Sequence, residues 1–205
     1  MKISVALCTL NGGKYLEEQL NSIMDQEYNI YEIQIGDDGS SDDTIDIINN
    51  FNEKYNNVFL TINETRKGVT KNFEDTIRRC RGEYICLADQ DDIWHPDKLK
   101  ILIPLLKDNP ETQGCFTNAS FIDEDGNKMD GSLWESLGLL NGEEYLLEPD
   151  RLLEHLLRFG NIVTGATMVF KSNAVKTILP LKQRYDYEFH DFIIARQLAI
   201  NKSLV

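Results

Sequence analysis

Four times within the first 110 residues, an apolar run that reads as a strand is followed by a stretch with helical spacing. Ile3 to Thr9, carrying Val5 and Leu7, is continuously apolar, as a strand buried on both faces of a parallel sheet must be. Asn11-Gly12-Gly13 breaks it, and Leu16, Leu20, Ile23 and Met24 then recur at the spacing of an amphipathic helix. Ile30, Ile33 and Ile35 mark a second strand that stops at Asp37-Asp38-Gly39-Ser40. Ser41 is expected to cap the next helix. Asp42 and Asp43 fall in its first turn, where the dipole favours acids, and Ile45, Ile48 and Phe51 face inward. Val58 to Ile62 is the third strand, and a helix through Phe73, Ile77 and Cys80 closes near Gly82. Tyr84 to Ala88 is the fourth strand, followed at once by Asp89-Gln90-Asp91-Asp92; Pro96 then opens a helix carrying Leu99, Leu102, Ile103 and Leu106. Such alternation predicts an α/β fold, a mostly parallel sheet flanked by helices.

After about residue 110 the rhythm changes. Cys115 to Ile122 reads as a strand, Asp123-Glu124-Asp125-Gly126-Asn127 as a hairpin turn, and Leu152, Leu153, Leu156 and Leu157 as a helix. Gly165 to Phe170 reads as a further strand and His190 to Ile200 as a last helix. A length of 205 residues suits one domain, and no repeat or low-complexity linker divides it. The final residues read as the interior of a helix with no Gly or Pro to stop it. A natural protein that continues past Val205 is therefore expected.

Charge narrows the partners. With 21 Lys+Arg against 34 Asp+Glu, the net charge is -13. A nucleic acid as main partner, or docking on an anionic membrane through a basic patch, would need clustered positive charge. No apolar run approaches the roughly 20 residues that span a bilayer, and the N-terminal apolar stretch is too short for a signal peptide. Cys8, Cys80, Cys86 and Cys115 form no Cys-x-x-Cys pair and fit no zinc spacing, so reduced thiols and a cytoplasmic location are expected.

Ligands of open parallel sheets bind beyond the carboxyl ends of the strands, and two acid clusters fall there. Asp37-Asp38-Gly39-Ser40 is also a good turn sequence. Asp89-Gln90-Asp91-Asp92 is not, because it lacks glycine and runs into Ile93-Trp94. On an extended segment Asp89 and Asp91 project to the same side and can face one ion. Carboxylate oxygens suit Mg²⁺ or Mn²⁺, and Mg²⁺ commonly takes one or two protein carboxylates and completes its shell with water and phosphates. A diphosphate-bearing substrate follows as the expectation. The phosphate loops Gly-x-x-x-x-Gly-Lys-Ser/Thr and Gly-x-Gly-x-x-Gly are both absent, as is the Gly-x-Ser-x-Gly of serine hydrolases.

Taken in order, these segments resemble the family 2 glycosyltransferases with their nucleotide-sugar-binding GT-A fold. The likeness runs from Val5-Ala6-Leu7-Cys8-Thr9-Leu10-Asn11 through Tyr15-Leu16, Leu20-Asn21-Ser22-Ile23 and Asp37-Asp38-Gly39-Ser40-Ser41-Asp42. It includes the stretch from Asn63 to Asn72 with Gly68, and it is strongest at Leu87-Ala88-Asp89-Gln90-Asp91-Asp92-Ile93-Trp94. It continues to Gly165-Ala166-Thr167-Met168 and Phe189-His190-Asp191-Phe192. The resemblance implies a Rossmann-like sheet with a smaller antiparallel acceptor-side region. Residues 1–110 would be the nucleotide-sugar-binding half and 111–205 the acceptor-side half.

The roles it implies are specific. Thr9 and Asn11 line the nucleotide pocket; Asp38 bonds the base, with Asp37 close by and Gly68 in the binding loop. Asp89 lies near ribose and metal, Asp91 is the principal Mn²⁺ or Mg²⁺ ligand, and Asp92 supports the sugar or the loop. Asp191 is the catalytic base of an inverting transfer, and His190 is a neighbouring support. His190-Asp191 and Asp-Gln-Asp-Asp resemble the variant of rhamnosyltransferase-like members, which leans towards a deoxyhexose donor. The acceptor implied is a glycan or lipid-linked glycan, in the building of a cell-surface polysaccharide at the inner face of the membrane. The Gln-x-x-Arg-Trp signature of processive members is absent, so one sugar per encounter is expected. Two other readings stay open: a nucleotidyltransferase that makes nucleotide sugars, and a non-catalytic nucleotide-sugar-binding module that would need the Asp pairs but not Asp191.

Overall fold

The computed structural model describes residues 1–139, 148–186 and 188–205. Its first half follows the predicted alternation: β1 (Ile3–Thr9), α1 (Leu16–Met24), β2 (Ile30–Asp37), α2 (Thr44–Lys54), β3 (Val58–Ile62), α3 (Val69–Arg79), β4 (Tyr84–Asp89) and α4 (Lys98–Asp108). The second half adds β5 (Gly114–Cys115), β6 (Ser120–Ile122), β7 (Lys128–Ser132), the short α5 (Leu133–Ser136), α6 (Pro149–Arg158), β8 (Val169–Lys171), the short α7 (Val175–Ile178) and α8 (His190–Ile200).

Six strands form one sheet in the order β3-β2-β1-β4-β8-β5. β3, β2, β1 and β4 are parallel neighbours, and β8 enters antiparallel to both β4 and β5. A two-stranded antiparallel sheet, β6-β7, stands apart and is closed by the predicted turn, where the Asp123 amide donates to the Asn127 carbonyl at 2.9 Å. This is the expected mostly parallel α/β architecture with a small antiparallel region.

The continuous apolar runs are explained by burial on both sides. All seven residues of β1 are buried. Ile3, Val5 and Leu7 point into one core with α1, α2 and α4; Ala6 and Cys8 point into the other with α3, α6 and α8. Each fully buried Leu, Ile or Phe contributes about 1.5–3 kcal/mol by leaving water, so the two layers clamp the sheet from both faces. Close approach of α3 depends on Gly36 in β2. A Cβ there would stand 2.4 Å from both Asn72 Oδ1 and Thr76 Oγ1.

Several boundaries differ from the sequence expectation. The strand expected over Cys115–Ile122 is two strands, β5 in the main sheet and β6 in the small one. The strand expected from Gly165 begins instead with a 3-10 turn over Gly165–Thr167 before β8. α2 starts at Thr44 with Asp43 as N-cap; Ser41 lies earlier, and Asp42 Oδ1 accepts from the Thr44 amide and hydroxyl. α4 starts at Lys98, after Asp97. On α6, Leu152 and Leu156 are buried but Leu157 is exposed.

The last helix does not run on. α8 closes in a Schellman motif: Lys202 takes a left-handed φ of 53°, its amide donates to the Ala199 carbonyl, and the Ser203 amide donates to the Leu198 carbonyl. A turn residue without glycine was the missing stop. Leu204 then pairs in parallel with Gly114 of β5. Among the described residues, no helix is long and apolar enough to cross a membrane.

Candidate active site

The chain leaves β1 towards β2 on one side, while β4 lies on the other. The carboxyl ends of β1 and β4 therefore form a topological switch point, the place where open α/β sheets accept ligands. A cleft of about 310 Å³ opens there. It is lined by Cys8, Thr9 and Leu10 from the end of β1, Asp38, Arg66, Gly68, Val69, Asn72 and Phe73, and Asp89, Gln90 and Asp91 from the end of β4.

One side chain welds the two strand ends together. Gln90 Oε1 accepts from the Thr9 hydroxyl at 2.7 Å and the Leu10 amide at 2.8 Å. Gly12 leaves room for it, since a Cβ there would meet Gln90 Oε1 at 2.5 Å. Asn11, with a left-handed φ of 52°, is not in the cleft wall. Its Oδ1 accepts from the Ser41 amide at 2.8 Å, and its own amide donates to the Ser40 hydroxyl. Asn11 thus fastens the loop after β1 to the loop after β2.

The two acids after β2 are arranged differently. Asp37 is fully buried and ties its own turn: Oδ1 accepts from the Gly39 and Ser40 amides, and Oδ2 from the Ser40 hydroxyl. Asp38 reaches the cleft and holds its far wall. Its Oδ1 accepts from Asn63 Nδ2 at 3.0 Å and the Lys67 amide at 2.8 Å, and its Oδ2 from the Gly68 amide at 2.8 Å. Burial alone would raise this carboxyl, but those donors and the nearby Arg66 guanidinium hold it below the usual range. Gly68 sits at φ 80°, a region that L side chains rarely adopt, and caps α3. Arg66 is the basic residue among those lining the cleft.

The acidic loop is a concentrated charge. Asp89 closes β4, and Gln90–Asp91 form a turn, so the alternation expected of an extended Asp-x-Asp segment is replaced by a bend. Burial, with the Asp92, Asp191 and Asp91 carboxylates around it, pushes Asp89 up to about 7. Burial and then Asp91 push Asp92 up to about 6. Asp91 is exposed and borders a second cleft of about 240 Å³, which it shares with Asp92, Tyr15, Glu18 and the β6-β7 turn. Beneath the loop lies Lys98, nearly buried. Its Nζ stands 3.7 Å from the Trp94 ring centroid and donates to the Ala166 carbonyl, and burial brings its pKa down to about 8.

His190 and Asp191 open α8 opposite β4. Asp191 Oδ2 accepts from the Gly165 amide at 3.2 Å, and Oδ1 from the Phe192 amide at 2.7 Å. Burial raises the Asp191 carboxyl against those donors. A proton acceptor that is largely shielded from water and electrostatically linked to Asp89 is chemically suited to accept a proton from an incoming hydroxyl. His190 is buried and lies on Phe73, and burial drives its pKa down to about 3.

Among the described residues, no group of three or more His, Cys, Asp and Glu side chains is gathered to hold a metal by itself. What stands at the end of β4 is a set of hard oxygen donors whose burial, and then mutual repulsion, raises their proton affinity. That fits a divalent cation shared with a diphosphate and does not fit an all-protein metal cage.

Of the residues singled out in the sequence, Thr9, Asp38, Gly68, Asp89 and Asp91 line the main cleft, while Asp92 lines the second. Asp191 is electrostatically coupled to Asp89. Asn11, Asp37 and His190 lie outside the lining. The contacts of Gln90, which the sequence offers only as one letter of Asp-Gln-Asp-Asp, and of Lys98 have no sequence signal, because their partners lie about 80 and 68 positions away.

Residues 4–187 match the family model for glycosyl transferase family 2. The chain is 39% identical over 117 residues to the dTDP-rhamnosyl transferase RfbG of Shigella flexneri, covering 55% of this chain and 40% of that protein. It is 28% identical over 207 residues to a poly(ribitol-phosphate) beta-glucosyltransferase of Bacillus spizizenii, covering 93% of this chain and 32% of that protein. The chain thus spans well under half the length of either relative. Its fold is similar to that of the mannosyltransferase PcManGT from Pyrobaculum calidifontis, solved with GDP-Man and Mn²⁺. That match has a TM-score of 0.73 at 18% identity, covering 99% of this chain and 53% of that one.

Proposed function

The chain belongs to glycosyl transferase family 2, and from that membership we propose that it moves a sugar from a nucleoside diphosphate donor to an acceptor hydroxyl with inversion at the anomeric carbon. The observation that carries the reading is the nearness of two carboxylates of different character. Asp89 ends β4 in a wall of acids, and Asp191 stands within its electrostatic reach with a raised proton affinity. The Shigella relative is by its name a dTDP-rhamnosyl transferase, and the Pyrobaculum neighbour is solved with GDP-Man.

In this reading the nucleotide lies in the main cleft. Its base faces Asp38 and the Asn63–Gly68 loop, and its ribose lies near Asp89. Asp91 and Asp89 would hold a divalent cation, Mn²⁺ or Mg²⁺, which when bound would supply Lewis-acid neutralisation of the diphosphate's charge. Arg66 adds positive charge on the opposite wall. Thr9 and Gln90 fix the cleft floor, so the donor meets a rigid surface. Asp191 takes the proton from the acceptor hydroxyl as that oxygen attacks the sugar, a role typically contributing about 10²–10⁴ in rate. The Gly165 amide, aimed at Asp191 Oδ2, holds the carboxylate in place. The acceptor is a glycan or lipid-linked glycan of a surface polysaccharide, and the work is done on the cytoplasmic side of the membrane.

Calorimetry with UDP, GDP and dTDP, with and without Mn²⁺, tests the reading. Metal-dependent binding is expected, weakened by Asp91→Ala and untouched by Asp191→Asn. Sugar transfer should vanish with Asp191→Asn. Binding indifferent to both Mn²⁺ and Asp91 would remove the cation, and full transfer by Asp191→Asn would remove the base and leave a binding module.

A further inference from the structure

Lys98 is the first residue of α4 and is 8% exposed. An ammonium leaves water only at a cost, and most buried lysines sit against a carboxylate. Lys98 does not: among the described residues it has no ion-pair partner within 4.0 Å. Its head is held by the Trp94 ring on one side and the Ala166 carbonyl on the other, with Asp89 and Asp92 as the carboxylates of its wider surroundings. A purely structural role here would be served as well by an apolar side chain of similar volume.

The Ala166 carbonyl belongs to the 3-10 turn Gly165–Thr167. That turn is gripped from three directions. Lys98 holds it from α4; the Leu87 amide of β4 donates to the carbonyl of Met168, just after it; and its own Gly165 amide donates to Asp191 Oδ2 on α8. Nothing larger than glycine fits at 165, because a Cβ would lie 2.7 Å from His190 Nε2. The turn is thus a narrow wedge between the acidic end of β4 and the start of α8.

We propose that Lys98 is a positioning residue: through the Ala166 carbonyl it fixes the Gly165–Thr167 wedge, and through the Gly165 amide it sets where the Asp191 carboxylate stands relative to Asp89. The inference rests on the transferase reading for its catalytic meaning. The mechanical link from Lys98 to Asp191 can be measured without it.

The test compares wild type, Lys98→Met and Lys98→Arg. Met keeps the apolar stem and removes both donor and charge; Arg keeps both. The Gly165 amide resonance is followed by NMR from about pH 4 to about pH 8, because a hydrogen bond to a carboxylate makes its shift track that carboxylate's titration. The wild type and Lys98→Arg should show a step with a common midpoint, which Lys98→Met abolishes or displaces by about one pH unit or more. UDP–Mn²⁺ affinity should agree within about threefold across the set, while donor turnover in Lys98→Met falls about tenfold or more in kcat at unchanged KM. If Lys98→Met does not fold, Lys98→Gln takes its place in the same comparison. A Lys98→Met amide step that overlays the wild-type one overturns the proposal, as does an equal displacement in Lys98→Arg, which would make the effect one of packing. If no wild-type transfer is found with any nucleotide sugar, the transferase reading fails, and the amide step alone decides the positioning link.

Discussion

The imidazole of His190 lies flat on the ring of Phe73, with centroids 3.7 Å apart and planes 11° from parallel, and among the described residues neither ring nitrogen has a hydrogen-bond partner. The residue next to Asp191 is therefore used as an aromatic plate. The other face of the arrangement matters too, because Phe73 lines the main cleft.

This makes acid lability partly a property of His190. Burial pushes its pKa down to about 3, against about 6.5 in the unfolded chain. A depressed histidine favours the fold fully above about pH 6.5, and that advantage drains away as pH falls towards 3. His190→Leu, which keeps the volume without the titration, should lose about 2 kcal/mol less stability than wild type between about pH 6.5 and pH 4.5 in urea melts. His190→Ala should lose about 2–4 kcal/mol at neutral pH through the cavity left against Phe73.

Asp89 carries the opposite sign. Its pKa is raised to about 7, so the fold prefers it protonated, and that contribution is lost as pH climbs through 7. With a chelator present at about pH 8, Asp89→Asn should be more stable than wild type by about 1–3 kcal/mol. Adding Mn²⁺ and UDP should invert the order, since ligand stabilises only the chain that binds it. Thermal melts under the two conditions decide the matter, and an unchanged order would count against cation binding at this loop.

Gln90 offers a test of rigidity. Gln90→Ala strands the Thr9 hydroxyl and the Leu10 amide, a loss of about 1–3 kcal/mol. It also frees the end of β1 from the end of β4, so UDP affinity should fall about tenfold beyond any change in fold stability. Chemical denaturation and calorimetry on the same sample separate the two effects.

At the far end, Lys202 holds a left-handed backbone that glycine adopts without strain. Lys202→Gly should gain about 0.5–1 kcal/mol. The Lys202–Asp150 ion pair it gives up is solvent-exposed and worth little. A lowered melting temperature would show that the pair outweighs the strain.

The sequence made the sheet readable because β1, β2 and β4 are buried on both faces, and a two-sided strand has an unmistakable composition. The acid loop after β4 was readable because nothing in core packing explains three carboxylates before Ile93-Trp94. What stayed hidden depends on distant partners. Gln90 reads as a polar filler until Thr9 is brought beside it, and Lys98 reads as an ordinary helix-start lysine until the Ala166 carbonyl arrives. The break of the 114–122 stretch was hidden for a similar reason. β5 is held by β8 and the Leu204 segment, while β6 is held by β7. The end of α8 was missed because Lys202 does the work usually signalled by glycine.

The placement of β8 has a temporal side. β1 to β4 pair through neighbours completed by residue 89, whereas β8 at residues 169–171 must return to lie against β4. As a chain emerges from the ribosome, local pairings can close first and long-range ones only when their partner has been made. The cleft wall at Thr9, Asp38 and Asp89 is thus available early in synthesis. The wedge at Gly165 and the carboxylate at Asp191 join it late, so a growing chain holds the floor of the cleft before it holds the acid that stands over it.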